Sequence, residues 1–380
     1  MPYDLIPSTW RIPFFVVIFA FSTGVPMSSH ARTGSVTEVT APPAVHLVFG
    51  DDLAPRIRER VVELMSKVPS TRVIVETDSA AVAPESGAWV LSFGDTPVTR
   101  RFLPREAVQA LGSEGFNVRS AEENGVLYLV TDGNAAIGER TTMVVNRGLS
   151  FGTYELLQQV GFRFFHPFTP RVPDVLKVSG HVDLAEKPRW PVRGFHIHTM
   201  HPIELTHVLN AWGPKGTNDS AGFESLLPEW ELYLEWSLAH RQNIVQWALL
   251  ADKANTTFND SPERLARLTK VVKTAHRWGI VTGIDVGIVL EQQNTWRIIR
   301  KVGKKADEAG QIKTRVNWLM RTGMDYLAAE MGFSEFQAPD DQKMLDWMNA
   351  VTREVEDVYN RPCYVKVHVS QGQRAKHYKD

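Results

Sequence analysis

The second half of the chain is constrained above all by a regular alternation of strand-like and helix-like segments. Short apolar segments rich in β-branched and aromatic residues predict five strands, at residues 192–199, 243–250, 280–289, 326–333 and 364–369. Helical segments follow the first four of these strands, at residues 229–239, 262–278, 313–321 and 341–359. Because strands that alternate with helices form parallel sheets, we expect residues 190–380 to fold as a (β/α) TIM barrel. A closed barrel of this type has eight strands, so the sequence predicts an incomplete barrel, truncated after its fifth unit.

The first half of the chain mixes strands and helices less regularly. Strand composition is found at residues 45–49, 72–77, 89–93, 116–120 and 126–131, and the apolar spacing of a helix at residues 55–68. The pair Asn124-Gly125 lies between the last two strands and favours a tight hairpin turn. We therefore expect an α+β domain over residues 42–185.

The amino terminus has the pattern of an export signal. An apolar run at residues 12–25 follows Arg11, and the polar segment after it ends in Ser29-His30-Ala31, a small-x-small pattern that suits signal peptidase. The run is short for a membrane-spanning helix, so an anchor is the weaker interpretation. We expect residues 1–31 to be removed and the mature chain to be secreted or periplasmic, with no membrane association after cleavage.

Charge and cysteine content narrow the possible partners. The 380 residues include 42 Lys and Arg and 43 Asp and Glu, without a block of like charges, so neither nucleic acid nor a membrane surface is a predicted partner. The single cysteine, Cys363, rules out an internal disulfide and a zinc site built from several cysteines.

Four segments carry a resemblance to a known family. They are residues 148–161 with the Arg163-Phe164-Phe165 that follows, Pro191-Val192-Arg193-Gly194-Phe195, residues 243–247, and Met331-Gly332-Phe333-Ser334-Glu335-Phe336. In this order they resemble the exo-acting glycoside hydrolases with a hexosaminidase-like barrel and, more loosely, the α-glucuronidases. The resemblance implies a small α+β domain followed by a TIM barrel, a carbohydrate substrate, and hydrolysis of a terminal glycosidic bond without a cofactor.

Two departures from the family pattern leave the substrate open between a hexosaminide and a uronide. Ser334 stands where the hexosaminidases have the aspartate that positions the substrate acetamide. The third strand keeps only Asp285 of the family's polar residues.

The resemblance and the ends of the predicted strands together supply the candidate site residues. By resemblance, Glu335 at the end of the fourth strand is the general acid and Arg193 contacts the sugar. Active sites of TIM barrels lie at the carboxyl ends of the strands, where Asp285 is a candidate for orienting the substrate. An ion pair at the base of the barrel is the alternative for Arg193, and a helix cap is the alternative for Asp285. The second catalytic carboxylate is not identified.

Aromatic and histidine side chains complete this list. Trp247 offers a flat apolar face suited to stacking on a sugar ring. His196 and His198 alternate along the first strand and therefore leave it on the same face, where they can contact sugar hydroxyls or make structural hydrogen bonds.

Two other functions remain open at this point. A metal-dependent hydrolase would use His196 and His198 as ligands, with Glu330 and His368 completing the site. A non-catalytic glycan-binding fragment is the other alternative. Whatever the function, truncation leaves the barrel edge at residues 364–369 unpaired, and we expect self-association or a missing carboxyl-terminal segment to cover it.

Overall fold

The computed structural model describes residues 38–40, 44–69, 71–77, 82–136, 145–201, 203–290, 292–330 and 341–366. All of these belong to one compact unit, Thr37–Asp380. The predicted export signal, the proposed acid Glu335 and the candidate metal ligand His368 lie outside the described residues. No helix within the described ranges is long and apolar enough to span a membrane.

The first half of the unit is built on a mixed six-stranded sheet. Its strands are β2 (Ala44–Phe49), β3 (Arg72–Val75), β4 (Trp89–Phe93), β5 (Phe116–Glu123), β6 (Val126–Gly133) and β8 (Asp183–Glu186). Two further strands, β1 (Glu38–Thr40) and β7 (Lys177–Ser179), pair with each other outside this sheet. The helices of this half are α1 (Pro55–Met65), α2 (Pro97–Phe102), α3 (Arg105–Gln109) and α4 (Arg147–Gln159). The strand order in the sheet is β3-β2-β4-β6-β5-β8.

Strand pairing in this sheet bears on the sequence predictions. β2 pairs in parallel with both β3 and β4, so the strand, helix and strand predicted at residues 45–49, 55–68 and 72–77 form a β-α-β unit. β5 and β6 form the predicted antiparallel hairpin, and Asn124 and Gly125 both have the positive φ that its tight turn requires. After α4, the apolar segment at residues 161–167 has the composition of a strand, but it makes only an isolated bridge, between Arg163 and Arg171.

The second half has the predicted alternation. Its elements are β9 (Gly194–Ile197), α5 (Thr206–Leu209), α6 (Ser220–Ala239), β10 (Ile244–Ala248), α7 (Pro262–Arg277), β11 (Val281–Gly287), α8 (Lys305–Met320), β12 (Tyr326–Glu330), α9 (Asp341–Arg353) and β13 (Cys363–Lys366). The five strands lie in the order β13-β12-β11-β10-β9, and every neighbouring pair is parallel. This arrangement is a partial TIM-barrel-like fold, as expected.

Local sequence signals place the helices of this half. The Ser261 side chain accepts a hydrogen bond from the Arg264 backbone N–H, and Pro262 occupies the first turn of α7, where a missing donor does no harm. α6 begins nine residues before the predicted 229, because Asp219 caps it and Pro228 lies inside the helix rather than in front of it. Proline usually interrupts a helix, so the sequence alone indicates a later start.

The parallel sheet has an apolar face and a polar face, because successive side chains of a strand point in opposite directions. The apolar face packs on the helices and is fully buried, with Val245, Trp247, Ile284 and Leu327 among its residues. The alternate positions on the same strands are polar, among them Gln246, Asp285 and Glu330. We call the polar side the inner face, since it lies opposite the helices.

A cluster of polar side chains joins the two halves at the amino ends of the barrel strands. This base cluster consists of Glu114, Arg147, Arg193 and Asn243. Arg147 Nε lies 2.5 Å from one Glu114 carboxyl oxygen and Arg193 Nη2 lies 2.7 Å from the other. Asn243 donates its amide to Glu114 at 3.2 Å. Because Arg193 precedes β9 and Asn243 precedes β10, Glu114 fixes the starts of two barrel strands.

Candidate functional site

Polar side chains from all five parallel strands meet on the inner face. This inner cluster consists of His196 on β9, Gln246 on β10, Asp285 on β11, Tyr326 and Glu330 on β12, and Lys366 on β13. In the strand register, Gln246 lies opposite His196, and Glu330 lies opposite both Gly287 and Lys366. Glu330 and Lys366 end their strands, so the cluster reaches the carboxyl end of the sheet, where TIM-barrel enzymes place their active sites.

A chain of hydrogen bonds crosses the inner face. The Tyr326 hydroxyl donates to Gln246 Oε1 at 3.0 Å, and Gln246 Nε2 lies 2.7 Å from His196 Nδ1. His196 Nε2 lies 3.7 Å from Asp285 Oδ2, which is too long for a hydrogen bond. The series of hydrogen bonds therefore ends at a gap between the His196 imidazole and the Asp285 carboxyl group.

Burial makes Asp285 an unusual carboxylic acid. Its side chain is 3% exposed, and neither carboxyl oxygen has a well-aligned hydrogen-bond partner among the described residues. Burial raises the pKa of Asp285 to about 7 and the negative charge of Glu330 adds to the rise, whereas Lys366 and the Val286 amide oppose it. A large fraction of Asp285 is therefore protonated near neutral pH and can donate a proton or a hydrogen bond.

His196 responds to the same environment in the opposite direction. Burial lowers the pKa of His196 to about 4, and the positive charges of Lys366 and His198 contribute. Its Nε2 is buried and has no hydrogen-bond partner in the described structure. His196 is therefore a neutral imidazole at the pH at which Asp285 is protonated.

A second carboxyl group lies next to Asp285 on the neighbouring strand. Glu330 is 5% exposed and accepts a hydrogen bond from Lys366 Nζ at 3.0 Å in an ion pair. Tyr364 packs edge-on against Tyr326, with 5.1 Å between the ring centroids, beside this pair. The inner face thus holds two carboxyl groups in different environments, one without a cationic contact and one in contact with an ammonium group.

The histidines of the first strand lie together, as their alternation predicts. The rings of His196 and His198 are 6.0 Å apart, and His198 stacks on His201 at 5.1 Å. Over the ranges that the structure describes, no three His, Cys, Asp or Glu side chains come together in a way that could hold a metal ion. The metal-site alternative therefore gains no support from the described residues.

Arg193 lies at the base of the barrel. It donates to the Arg241 carbonyl from Nε at 2.7 Å, to the Trp190 carbonyl from Nη1 at 2.6 Å and to Glu114 from Nη2. All three guanidinium nitrogens are therefore used at the amino end of the strand. This placement agrees with the alternative of an ion pair at the base and not with the expected sugar contact.

The glycine that follows Arg193 has a packing role. A Cβ atom on Gly194 would overlap the Ile244 carbonyl oxygen of the neighbouring strand. The Arg-Gly pair of the family-like motif therefore serves strand packing and the base cluster in this chain.

The expected role of Trp247 needs a correction. Its side chain has no exposed surface and lies among the core residues, with its ring edge-on to Trp230 of α6. Trp247 points to the helices because Gln246, its neighbour in the strand, points to the inner face. It is a core residue and has no free face on which a sugar could stack.

Three members of the inner cluster were missed by the sequence reasoning. Gln246, Tyr326 and Lys366 each stand in a predicted strand, at the position that alternates with apolar residues. Gln246 carries the clearest signal, because an amide within the apolar run 244–250 needs a buried partner.

Comparisons with known proteins match the chain by structure only. No protein-family model matches the sequence, and no curated protein was found to be similar to it. A mutant β-hexosaminidase of Streptomyces plicatus in complex with GlcNAc superposes with a TM-score of 0.52 at 14% identity, over 87% of this chain and 62% of its own. A GH20 β-N-acetylhexosaminidase from Streptomyces coelicolor A3(2) gives 0.50 at 13% identity, over 87% of this chain and 63% of its own. The structure of CpGH84B gives a TM-score of 0.52 at 11% identity, over 87% of this chain and 47% of its own.

At identities this low, the likeness concerns the fold alone. The chain spans between 47% and 63% of the length of these three structures. The same succession of an α+β half and parallel β/α units is predicted from the sequence and observed in the structure. The chain therefore has the fold of the hexosaminidase-like glycoside hydrolases.

Proposed function

We propose that this chain is a glycoside hydrolase that cleaves a terminal glycosidic bond, of a hexosaminide or a uronide, at the inner cluster. Glycosidic cleavage needs one carboxylic acid that protonates the leaving oxygen and a second group that activates water or stabilises the developing positive charge. The observation that supports the proposal best is the carboxyl pair Asp285 and Glu330 on the inner face. Burial keeps the first protonated, whereas Lys366 contacts the second at 3.0 Å.

Each residue of the cluster has a part in this proposal. Asp285 is the proton donor, because its pKa of about 7 keeps a proton available near neutral pH. Glu330 is the second carboxylate, and Lys366 holds it in place. The neutral imidazole of His196 and the ring of His198 donate to sugar hydroxyls at the carboxyl end of β9.

Glu335 remains a second proposal for the acid. It follows Glu330 by five residues and rests on the resemblance of residues 331–336 to the catalytic segment of the family. Only one of the two carboxyl groups can protonate a given leaving oxygen, so experiment can separate them.

The leaving group of the substrate distinguishes these acids. The experiment compares Asp285→Asn and Glu335→Gln in the full chain on aryl hexosaminides and aryl uronides. Loss of the general acid should slow aryl glycosides with poor leaving groups by about 10²-fold or more, whereas activated aryl groups need little protonation. Asp183→Asn is the matched control, since Asp183 is half-exposed and pairs with Arg119.

The outcome decides between three accounts. A leaving-group-dependent loss in Asp285→Asn alone supports Asp285 as the acid, and the same loss in Glu335→Gln alone moves this role to Glu335. Glycan binding without turnover in the unaltered chain would instead support a non-catalytic binding protein and contradict the proposed hydrolase.

Export and association are further parts of the proposal. Removal of residues 1–31 on secretion to the periplasm or the exterior is tested by the mass of the exported chain. Trp190 and Val192, which precede the edge strand β9, and Phe195 within it are exposed apolar side chains. Their exposure supports coverage of this edge by self-association or by a further segment. Sedimentation of the purified chain tests the self-association.

A further inference from the structure

The side-chain amide of Gln246 is held at both ends. Its oxygen accepts the Tyr326 hydroxyl at 3.0 Å, and its nitrogen lies 2.7 Å from His196 Nδ1. A phenol hydroxyl donates readily to an amide oxygen, so this bond favours the orientation in which the amide nitrogen faces His196. The orientation of Gln246 is thus set by Tyr326, which lies three strands away from the histidine.

A glycine on the intervening strand makes this contact possible. Gln246 on β10, Gly283 on β11 and Tyr326 on β12 are in register across the sheet. A Cβ atom at Gly283 would overlap the Tyr326 ring. Because Gly283 has no side chain, the ring of Tyr326 lies across β11 and its hydroxyl reaches the glutamine on β10.

The amide orientation determines where His196 carries its proton. An amide nitrogen only donates hydrogen bonds, so the Nδ1 atom facing it must be the acceptor. A neutral imidazole has one N–H, which in this case lies on Nε2. That atom is the buried one without a hydrogen-bond partner, 3.7 Å from Asp285 Oδ2.

His196 Nε2 and the Asp285 carboxyl group therefore face each other across 3.7 Å. In the described part of the chain the imidazole nitrogen has no hydrogen-bond partner, and neither carboxyl oxygen has a well-aligned one, although the Val286 amide lies close enough to lower the Asp285 pKa. Buried polar atoms are rarely left unpaired in native proteins, so this arrangement points to an oxygen-bearing ligand that accepts from the imidazole and contacts the carboxyl.

We propose that Tyr326, Gln246 and Gly283 are positioning residues that hold His196 as its Nε2–H tautomer, so that it presents a hydrogen-bond donor beside the Asp285 carboxyl to a bound hydroxyl or ether oxygen. The tautomer does not depend on which reaction the chain catalyses. Its effect on turnover rests on the proposed hydrolase function.

The tautomer can be measured directly by 15N NMR on the full chain labelled in its histidines. The His196 signals are assigned by their loss in His196→Gln. Near neutral pH we expect an Nε2–H tautomer in about tenfold excess or more, the ratio that one net hydrogen bond maintains.

Substitutions at Gln246 and Tyr326, which make the hydrogen bonds leading to His196, should change the ratio of the two His196 tautomers. Gln246→Glu places an acceptor at Nδ1, so the proton should move to Nδ1 or the ring should become doubly protonated. Tyr326→Phe removes the bond that orients the amide and should bring the two tautomers closer to equal populations. Tyr128→Phe, which removes a hydroxyl from a buried tyrosine of the other sheet, should leave the His196 signals unchanged.

Some results would overturn the proposal. An Nδ1–H tautomer in the unaltered chain would show that the amide is reversed. Unchanged tautomer signals in Gln246→Glu and Tyr326→Phe, with circular dichroism showing both variants folded, would show that the relay, meaning the hydrogen bonds from Tyr326 through Gln246 to His196, does not control the His196 tautomer.

The relay and the proposed hydrolase can fail separately. If the tautomer responds as expected but the unaltered chain cleaves no glycoside, the hydrolase proposal fails and the relay stands. If the chain is active, we expect Gln246→Glu to lower kcat by about tenfold or more, and Gln246→Asn to leave KM nearly unchanged.

Discussion

At the scale of single residues, one buried environment acts on an acid and a base in opposite directions. Asp285 and His196 share the inner face, and burial is the largest cause of both pKa shifts. Burial disfavours the charged form of each group, so it raises the pKa of the carboxyl and lowers that of the imidazole. Both groups are therefore mainly neutral between about pH 4 and 7.

These shifts have opposite effects on stability. The Asp285 pKa rises from 3.8 to about 7 on folding, so its contribution to stability is present below pH 3.8 and is lost as the pH rises to 7. The His196 pKa falls from 6.5 to about 4, so its contribution is present above pH 6.5 and is lost as the pH falls to 4. Between about pH 4 and 6.5 the two contributions largely offset each other.

Single substitutions at Asp285 and His196 should reveal the pH dependence of stability that the two groups cancel in the unaltered chain. Relative to the unaltered chain, the unfolding free energy of Asp285→Asn should rise with pH between about 4 and 6.5, and that of His196→Gln should fall, by up to about 1.4 kcal/mol per pH unit. Denaturant titrations at several pH values measure both. Profiles of the two variants that stay parallel to the unaltered chain would contradict the shifted pKa values.

At the scale of elements, the alternation of strands and helices could be predicted because it is a repeated local pattern. The first four barrel strands lie within the segments predicted for them, and β13 begins at Cys363, one residue before its predicted segment. The start of α6 could not be predicted, because proline usually marks a helix boundary and Pro228 lies inside this helix. β8 could not be predicted because its pairing with β5 is a contact between segments distant in sequence.

The candidate site was predictable to the extent that strand alternation determines side-chain direction. His196 and Asp285 lie in the carboxyl halves of β9 and β11. Trp247 was assigned by residue type rather than by its place next to Gln246, and this led to the wrong face. An ion pair of Arg193 at the base was one alternative from the sequence, but its partner Glu114 could not be predicted, because the two residues are 79 positions apart.

A stability test distinguishes the two faces of β10. Trp247→Ala should destabilise the chain by about 3–5 kcal/mol, since it leaves a cavity in the core, and should not weaken sugar binding in the folded fraction. Trp190→Ala removes a side chain that is 65% exposed and should change stability by less than about 0.5 kcal/mol. A small stability change in Trp247→Ala, accompanied by lost sugar binding, would restore the stacking role.

At the scale of the whole molecule, Glu114 connects the two halves through charge. Burial raises the pKa of Glu114, but the positive charges of Arg147 and Arg193 outweigh this effect, and the pKa is lowered overall. The carboxylate is thus held in its charged form between two arginines, at the starts of β9 and of α4.

Removal of this charge should be costly. Glu114→Gln removes the buried carboxylate that contacts both Arg147 and Arg193, and we expect a loss of about 3–5 kcal/mol in unfolding free energy. Asp95→Asn is the control, because Asp95 and Arg100 form an exposed ion pair and should contribute much less. Equal effects of the two substitutions in denaturant titrations would contradict a structural role for the base cluster.

The central claim is that the inner face carries a protonated carboxyl group that acts on a glycosidic bond. The most direct measurement is kcat/KM for an aryl glycoside with a poor leaving group, as a function of pH, in the unaltered chain and in Asp285→Asn. We predict that kcat/KM of the unaltered chain falls above about pH 7, where Asp285 loses its proton, and that Asp285→Asn is slower by about 10²-fold or more without this fall. A rate and a pH profile of Asp285→Asn that match those of the unaltered chain would contradict the claim.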